Sequence, residues 1–263
     1  MYTIYKHEMK SYIKSLLIWF LGVGGMGFAC ILLFSSMKES MGDMAESFSA
    51  MGAFSDAFGM SQLSIATLEG FFAAEVGTIH SLGGAMFGAV MATVMLSKEE
   101  DGHTSEFLFT LPITRGKVIT AKGCAVLTHI FLFNVLCVGL YLLGFFILGE
   151  EMSIKEFSLY QFMQCFMHWE IAAICYGISA FMKKNKLGLG LGVVLMLYAY
   201  DLMARVIPDL ADYKIISPFS YANAADIFSS GQIEKTAAII GAAVFLASIV
   251  IAYVRYMKRD LAS

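Results

Sequence analysis

Residues 76–148 read VGTIHSLGGAMFGAVMATVML (76–96), SKEEDGHTSEFLFTLPITRGKVITAKG (97–123) and CAVLTHIFLFNVLCVGLYLLGFFIL (124–148). The first and third pieces carry no Asp, Glu, Lys or Arg over 21 and 25 positions. A helix needs about 20 apolar residues to cross the hydrocarbon of a bilayer, so each piece is long enough to span it. The piece between them cannot lie in hydrocarbon, because its charges would be buried without water. It nevertheless contains Phe107, Leu108, Phe109 and Leu111, which are too apolar for an idle solvated linker and call for a covering surface. The simplest account is a cytoplasmic loop that docks on another protein.

Working outward, runs of the same kind recur at about 16–37, 159–182, 187–207 and 236–255, which with 76–96 and 124–148 makes six. Of the 263 residues 58% are hydrophobic and only 15% charged, against about a quarter charged in soluble domains. Pro112, Pro208 and Pro218 all fall between the runs, so each run reads as an unbroken helix. Backbone in lipid must bond to itself, and runs of this length favour a helical bundle over a barrel. The expected fold class is therefore an all-α membrane protein of six transmembrane helices, a single domain over 1–263.

The basic residues orient it. Lys6, Lys10, Lys14, Lys98, Arg115, Lys117, Lys122, Lys183, Lys184, Lys186, Arg255, Lys258 and Arg259 fall on one side when both termini are cytoplasmic, 13 of the 18 Lys and Arg. The other side keeps Lys38, Lys155, Arg205, Lys214 and Lys235 among a surplus of acids, including Glu39, Glu150, Glu151 and Asp209. This is the positive-inside asymmetry of a multi-pass protein in the cytoplasmic membrane. In residues 1–14, Lys6, Lys10 and Lys14 recur every four positions beside Tyr2, Ile4, Tyr5 and Tyr12, the pattern of an interfacial helix on the inner leaflet. Residues 38–75, rich in Met, Phe, Ala, Ser and Gly, are expected to form short helices packed at the outer face.

The pattern Glu99-x-x-Gly102-x-x-x-Glu106-Phe107-Leu108-x-x-x-Pro112-x-x-Arg115, followed by Lys122, resembles the permeases of type-2 ABC transporters. The six spans, the basic lead-in, the segment Ile216-Ser217-Pro218-Phe219-Ser220-Tyr221 and the ending Tyr256-Met257-Lys258-Arg259-Asp260-Leu261 are similar to the same family. The resemblance implies an elbow helix at 1–14, and within the loop 97–123 a cytoplasmic coupling helix that inserts into a separate ABC ATPase subunit. It also implies a second permease chain, identical or not, with ATP and Mg held by the partner ATPase and export as the direction. Glu99, Glu100, Gly102, Glu106, Phe107, Leu108, Pro112 and Arg115 are the residues expected to carry coupling. An apolar or amphipathic cargo fits the Met- and Phe-rich outer segments.

The chain is not expected to be an enzyme. Gly116-Lys117 is followed by Val118 without the earlier glycine of a phosphate-binding loop, and no His-Glu-x-x-His or Gly-x-Ser-x-Gly occurs. No metal or cofactor site and no nucleic-acid surface is expected. The five cysteines, at 30, 124, 137, 165 and 175, lie inside apolar runs without ligand spacing and read as small buried hydrophobes.

Ionisable groups inside spans are functional candidates by default, which singles out His168, Glu170 and His129. His168 and Glu170 are two apart and do not share a helix face, so at most one easily points into a central pathway. Glu170 either titrates there or makes a structural contact with His129, Asn134 or another helix. Those residues also define the competing reading, a proton-coupled secondary transporter or channel using Glu170 and His168. Asp201 and Arg205, four apart, are expected to pair. Gly84-x-x-x-Gly88 and Gly188-x-x-x-Gly192 mark close helix packing or a dimer seam.

Overall fold

The computed structural model describes residues 1–104 and 113–259, apart from the side chains at 39, 41, 43, 44 and 48. Among them the only regular secondary structure is helical. Helix α1 (Tyr2–Trp19) passes through a π turn (Phe20–Gly24) into α2 (Gly25–Ser49). Short helices α3 (Ala53–Phe58) and α4 (Leu68–Phe71) follow, and a second π turn (Phe72–Val76) leads into α5 (Gly77–Met95). The one-turn α6 (Lys98–Asp101) precedes α7 (Arg115–Leu148), α8 (Ile154–Ser179) and α9 (Leu187–Val206). A 3-10 segment (Pro208–Ile216), α10 (Pro218–Tyr221), α11 (Ala224–Ser230) and α12 (Lys235–Lys258) complete the chain.

Boundaries follow local chemistry. Thr114 caps α7 by accepting from the Lys117 amide, and Gly149 ends it in the left-handed region at φ 71°. Pro208 and Pro218 each open a helical segment, where their missing amide costs no hydrogen bond.

Helix α8 occupies the centre, packed chiefly against α5 on one side and α12 on the other, while α7 lies along α1 and α2 and α9 lies on α5. Close approach is possible because α5 lacks side chains where α8 crosses it. A Cβ on Gly84 would stand 2.2 Å from the His168 ring, and one on Gly88 3.4 Å from the Ala172 Cβ. Nearer the opposite end, the Phe72 ring meets those of Tyr141, Phe145, Phe157, Tyr160 and Phe228, each 5.8 Å between centroids, which binds α7, α8 and α11 to the second π turn.

Five helical stretches are long and apolar enough to cross a membrane: Tyr2–Lys38, Leu68–Met95, Arg115–Leu148, Leu187–Val206 and Lys235–Lys258. The run expected at 159–182 forms α8, 26 residues or about 39 Å long, but it is too polar to count among them. Its Gln161, Gln164, His168 and Glu170 are all buried, so they are sheltered by neighbouring helices rather than by an apolar sequence. The lead-in at 1–14 is not set off by a bend: α1 and α2 join through right-handed helical backbone on both sides of the π turn. Lys6, Lys10 and Lys14 are exposed, while Ile4, Glu8 and Leu16, four and then eight positions apart, face the bundle.

One expectation is corrected outright. Only Cys137 and Cys175 are buried; Cys30 and Cys165 are partly exposed and Cys124 is exposed, because α7 presents a large part of its surface outward. None is in a disulfide, and no cluster of His, Cys, Asp and Glu suited to a metal occurs among the described residues.

Candidate functional site

At one end of the bundle, the charges bracketing the segment 105–112 form a buried network. Lys122, on the first turns of α7, is 1% exposed. Its ammonium donates to the Met95 carbonyl (2.8 Å) at the C-terminal end of α5 and to Glu99 Oε1 (2.5 Å) of α6, and stands 3.3 Å from Glu8 Oε1 of α1. Lys98 reaches the other oxygen of Glu8 and lies over the Tyr12 ring, 5.0 Å from its centroid. A cation at a helix C-terminus satisfies orphan carbonyls and opposes the negative end of the dipole, so Lys122 ends α5 while joining α1, α6 and α7.

Arg259 does the same for α8. Its guanidinium donates to the carbonyls of Ala180 (3.1 Å) and Met182, just past the end of α8, and to Glu100 Oε2 (2.6 Å). Arg115, at the start of α7, donates in turn to the Arg259 carbonyl at 2.6 Å. Two of the three carboxylates of α6 are thus held by the chain's own cations: Glu99 through Lys122 to α1 and α5, Glu100 through Arg259 to α8 and the segment after α12. Glu8 lies ahead of the first apolar run. Burial raises its carboxyl, but the ammonium groups of Lys122 and Lys98 outweigh burial and hold it below its ordinary value. Both ends of the chain meet α6, so both lie at the same end of the bundle.

Mid-bundle, buried side-chain donors and acceptors link helices through hydrogen bonds. His80 contacts the Tyr141 hydroxyl at 3.1 Å through one ring nitrogen and Asn134 Oδ1 at 3.1 Å through the other, while Asn134 donates to the Ile130 carbonyl. Gln164 donates to Ser81 Oγ (2.6 Å) and to the Ala222 carbonyl (2.8 Å), and His168 Nε2 lies 3.2 Å from the Ser81 carbonyl. Glu170 turns away from these, toward α12, and accepts from the Tyr221 hydroxyl at 2.7 Å. It contacts neither His129 nor Asn134; His129 bonds within its own helix, to the Ala125 carbonyl at 2.8 Å.

One family model, the ABC-2 family transporter protein, matches residues 2–261. The chain belongs to that family. It is a multi-pass membrane protein and the permease component of an ABC transporter. No curated protein matches the permease closely enough to add a further relative.

Of the coupling residues expected from sequence, Glu99, Glu100, Gly102 and Arg115 are gathered at this charged network, and Glu106, Phe107, Leu108 and Pro112 lie outside the described residues. Glu99 and Glu100 face the permease itself, not outward. His168 and Glu170 are separated to opposite sides of α8, as their two-residue spacing requires. The expected Asp201–Arg205 pair forms at 2.7 Å and extends to Asp226 at 3.5 Å. Sequence reading took Lys122 and Arg259 as orientation signals and as parts of the family pattern, not as buried partners of Glu99 and Glu100, and passed over Glu8 and His80. The available signals were Glu8 set four positions from Ile4 and from Tyr12, on the face opposite the lysines, and His80 as an ionisable residue inside the run 76–96.

Proposed function

We propose that the permease works as one half of an exporter, paired with a second permease chain and energised by a separate ABC ATPase that docks on the loop 97–123. The observation that carries this is the inner network, since both roots of that loop are tied to both ends of the chain and to the ends of α5 and α8. A displacement imposed between residues 104 and 113 would move α6 and the start of α7, and so pull on α1 through Lys122–Glu8 and on α8 and α12 through Glu100–Arg259. Such rigid-body coupling needs no chemistry in the permease.

Phe107 and Leu108 are assigned the contact with the ATPase, with Glu106, Pro112 and Arg115 fixing the loop, while Glu99 and Glu100 brace it. Six spans support this arrangement: chain ends at a common end of the bundle require an even number of crossings, and α8 supplies the sixth to the five apolar stretches. Its low hydropathy fits a helix shielded by the others. The positive-inside asymmetry supports a cytoplasmic location for the inner network and both termini, in a protein of the cytoplasmic membrane.

The second chain finds an available seam on α9. Gly188 and Gly192 have nothing within 4 Å of a Cβ position, whereas Gly190 between them packs on Thr93 of α5. An amphipathic or apolar cargo moved between two such halves is the substrate class this reading supports.

Purification in mild detergent from native membranes provides the test. The permease should bring with it a P-loop ATPase subunit and ATPase activity, and both should be lost on changing Phe107 and Leu108 to Ala. Transport by the chain reconstituted alone, without nucleotide, would overturn the assignment in favour of a carrier.

A further inference from the structure

At the end of the bundle away from the inner network, α7 and α8 splay apart and enclose a cleft of about 940 Å³. Its walls are apolar: Leu142 and Phe146 of α7, exposed at 51% and 83%, face Ile154 and Phe157 of α8. Glu150 and Glu151, in the connection between the helices, line its mouth. Gln161, about two turns into α8, also lines it. That side chain is 8% exposed, yet neither its amide nitrogen nor its oxygen has a hydrogen-bond partner among the described residues. By contrast, Asn134 is bonded at both ends and Gln164 through its nitrogen, so that Gln161 alone among these buried amides is unpaired at both ends among the described residues.

A buried amide with both ends unpaired costs about 1–3 kcal/mol and is retained where something else supplies the bonds. Bilayer tails have no polar atom to offer at that depth, so ordinary acyl chains do not meet its need. The cleft's size and its mostly apolar lining with few polar groups are those of a small-molecule site. The mouth selects charge. Lys38 is paired with Glu150 at 2.6 Å, Lys155 does not line the cleft, and the exposed Glu151 has no partner among the described residues. A net carboxylate beside an apolar slot disfavours anionic amphiphiles and favours a cation.

We propose that this cleft binds a cationic amphiphile from the outer leaflet, its ammonium at Glu151, its apolar chain between Leu142, Phe146 and Phe157, and an ester, amide or hydroxyl group bonded to Gln161. The leaflet, not the cleft, rests on the orientation argued under Proposed function.

The permease in phosphatidylcholine nanodiscs is titrated with radiolabelled palmitoylcholine and with palmitate, which share a chain and differ in charge. Saturable binding of the cation, at least about fivefold tighter than of the anion and losing that advantage in Glu151→Gln, is the expected result. Leu142→Trp should fill the slot and abolish binding. Gln161→Leu should weaken binding several-fold while leaving the melting temperature of the unliganded protein unchanged or raised, because an unpaired amide is removed. Equal binding of both probes, or indifference to Glu151→Gln, makes the cleft a non-selective lipid groove and overturns the proposal. So does a Gln161→Leu protein that melts earlier and binds as before, or a Leu142→Cys protein that cross-links two copies through the slot. Labelling of Glu151→Cys with an impermeant maleimide, above wild-type background in intact cells, tests the leaflet alone. Labelling only in inverted vesicles would reverse the orientation and leave the binding result to stand or fall separately.

Discussion

The inner end and the middle of the bundle both bury polar groups, and they do so in different ways. At the inner end the groups are charged and compensated by opposite charge: Lys122 between Glu8 and Glu99, Arg259 against Glu100. In the middle they are His80, Asn134, Gln164 and Tyr141, joined helix to helix by neutral hydrogen bonds. Neutral bonds lose little when one is stretched. Charges out of water are costly when a partner leaves, which makes the inner end nearly all-or-none. A region that must pass on displacement without absorbing it benefits from that stiffness, and a region that must let helices tilt benefits from the softer kind.

The largest effect expected is from Lys122→Met, which keeps the stem and removes the charge. Glu99 would then lose its cation and Glu8 would keep Lys98 alone, at a cost of about 3–5 kcal/mol. Thermal unfolding in nanodiscs should show it, and the double variant with Glu8→Gln should recover a large share. A loss under about 1 kcal/mol would mean the inner end is as compliant as the middle. Acid acts on the same pair. Because the Glu8 carboxyl sits below its ordinary value, its contribution is complete above that value and is lost as pH falls through the lower folded one. Glu8→Gln should flatten the acid side of the stability profile.

Next in size is Gly84→Ala. Its Cβ would stand 2.2 Å from His168 Cε1, so α5 and α8 must separate or His168 must leave Ser81, costing about 1–3 kcal/mol. The matched control is Gly139→Ala, in the middle of α7, where the Cβ meets open space and helix propensity predicts a gain of about 0.5–1 kcal/mol. Similar melting shifts in both would show that the middle of the bundle tolerates separation. Arg259→Lys comes third. A single ammonium cannot span Glu100 and the two carbonyls beyond α8, so about 1–2 kcal/mol should be lost, with the charge kept. Full stability in that variant would show that charge alone, without the fork, holds the C-terminal segment.

How much of this was legible in the sequence depends on range. The placement of the long apolar helices followed from apolar runs, because lipid imposes a length and a composition on any helix it touches. Helix α8 shows the limit. Its run was visible at 159–182, but its polarity reports that neighbours cover it, and hydropathy alone cannot say which ones. Asp201 with Arg205 was legible because i,i+4 geometry is local. Glu99 and Glu100 were picked out as charges of a docking loop, yet their orientation depends on Lys122 and Arg259, 23 and 159 positions away, and no local rule encodes such a pairing. His80 was legible as an ionisable group inside the run 76–96, but its partners, 54 and 61 positions along the chain, were not.

The smallest effect is the most discriminating between the two readings of the molecule. Glu170 is 2% exposed, accepts from Tyr221, and leaves no room for a Cβ on Gly241 of α12, 2.4 Å from its Oε2. Glu170→Gln keeps the shape and an acceptor for the Tyr221 hydroxyl, so stability should change by less than about 1 kcal/mol. In a permease driven by an ATPase, nucleotide-dependent transport should then remain near wild type, since the group holds α8, α10 and α12 together and carries no proton. In a proton-coupled carrier the same change removes the titrating site and transport stops, even though the fold is intact. Glu170→Leu supplies the internal scale. It deprives a buried tyrosine hydroxyl of its acceptor and should cost about 1–3 kcal/mol, so any transport lost in the leucine variant but kept in the glutamine one is lost through packing.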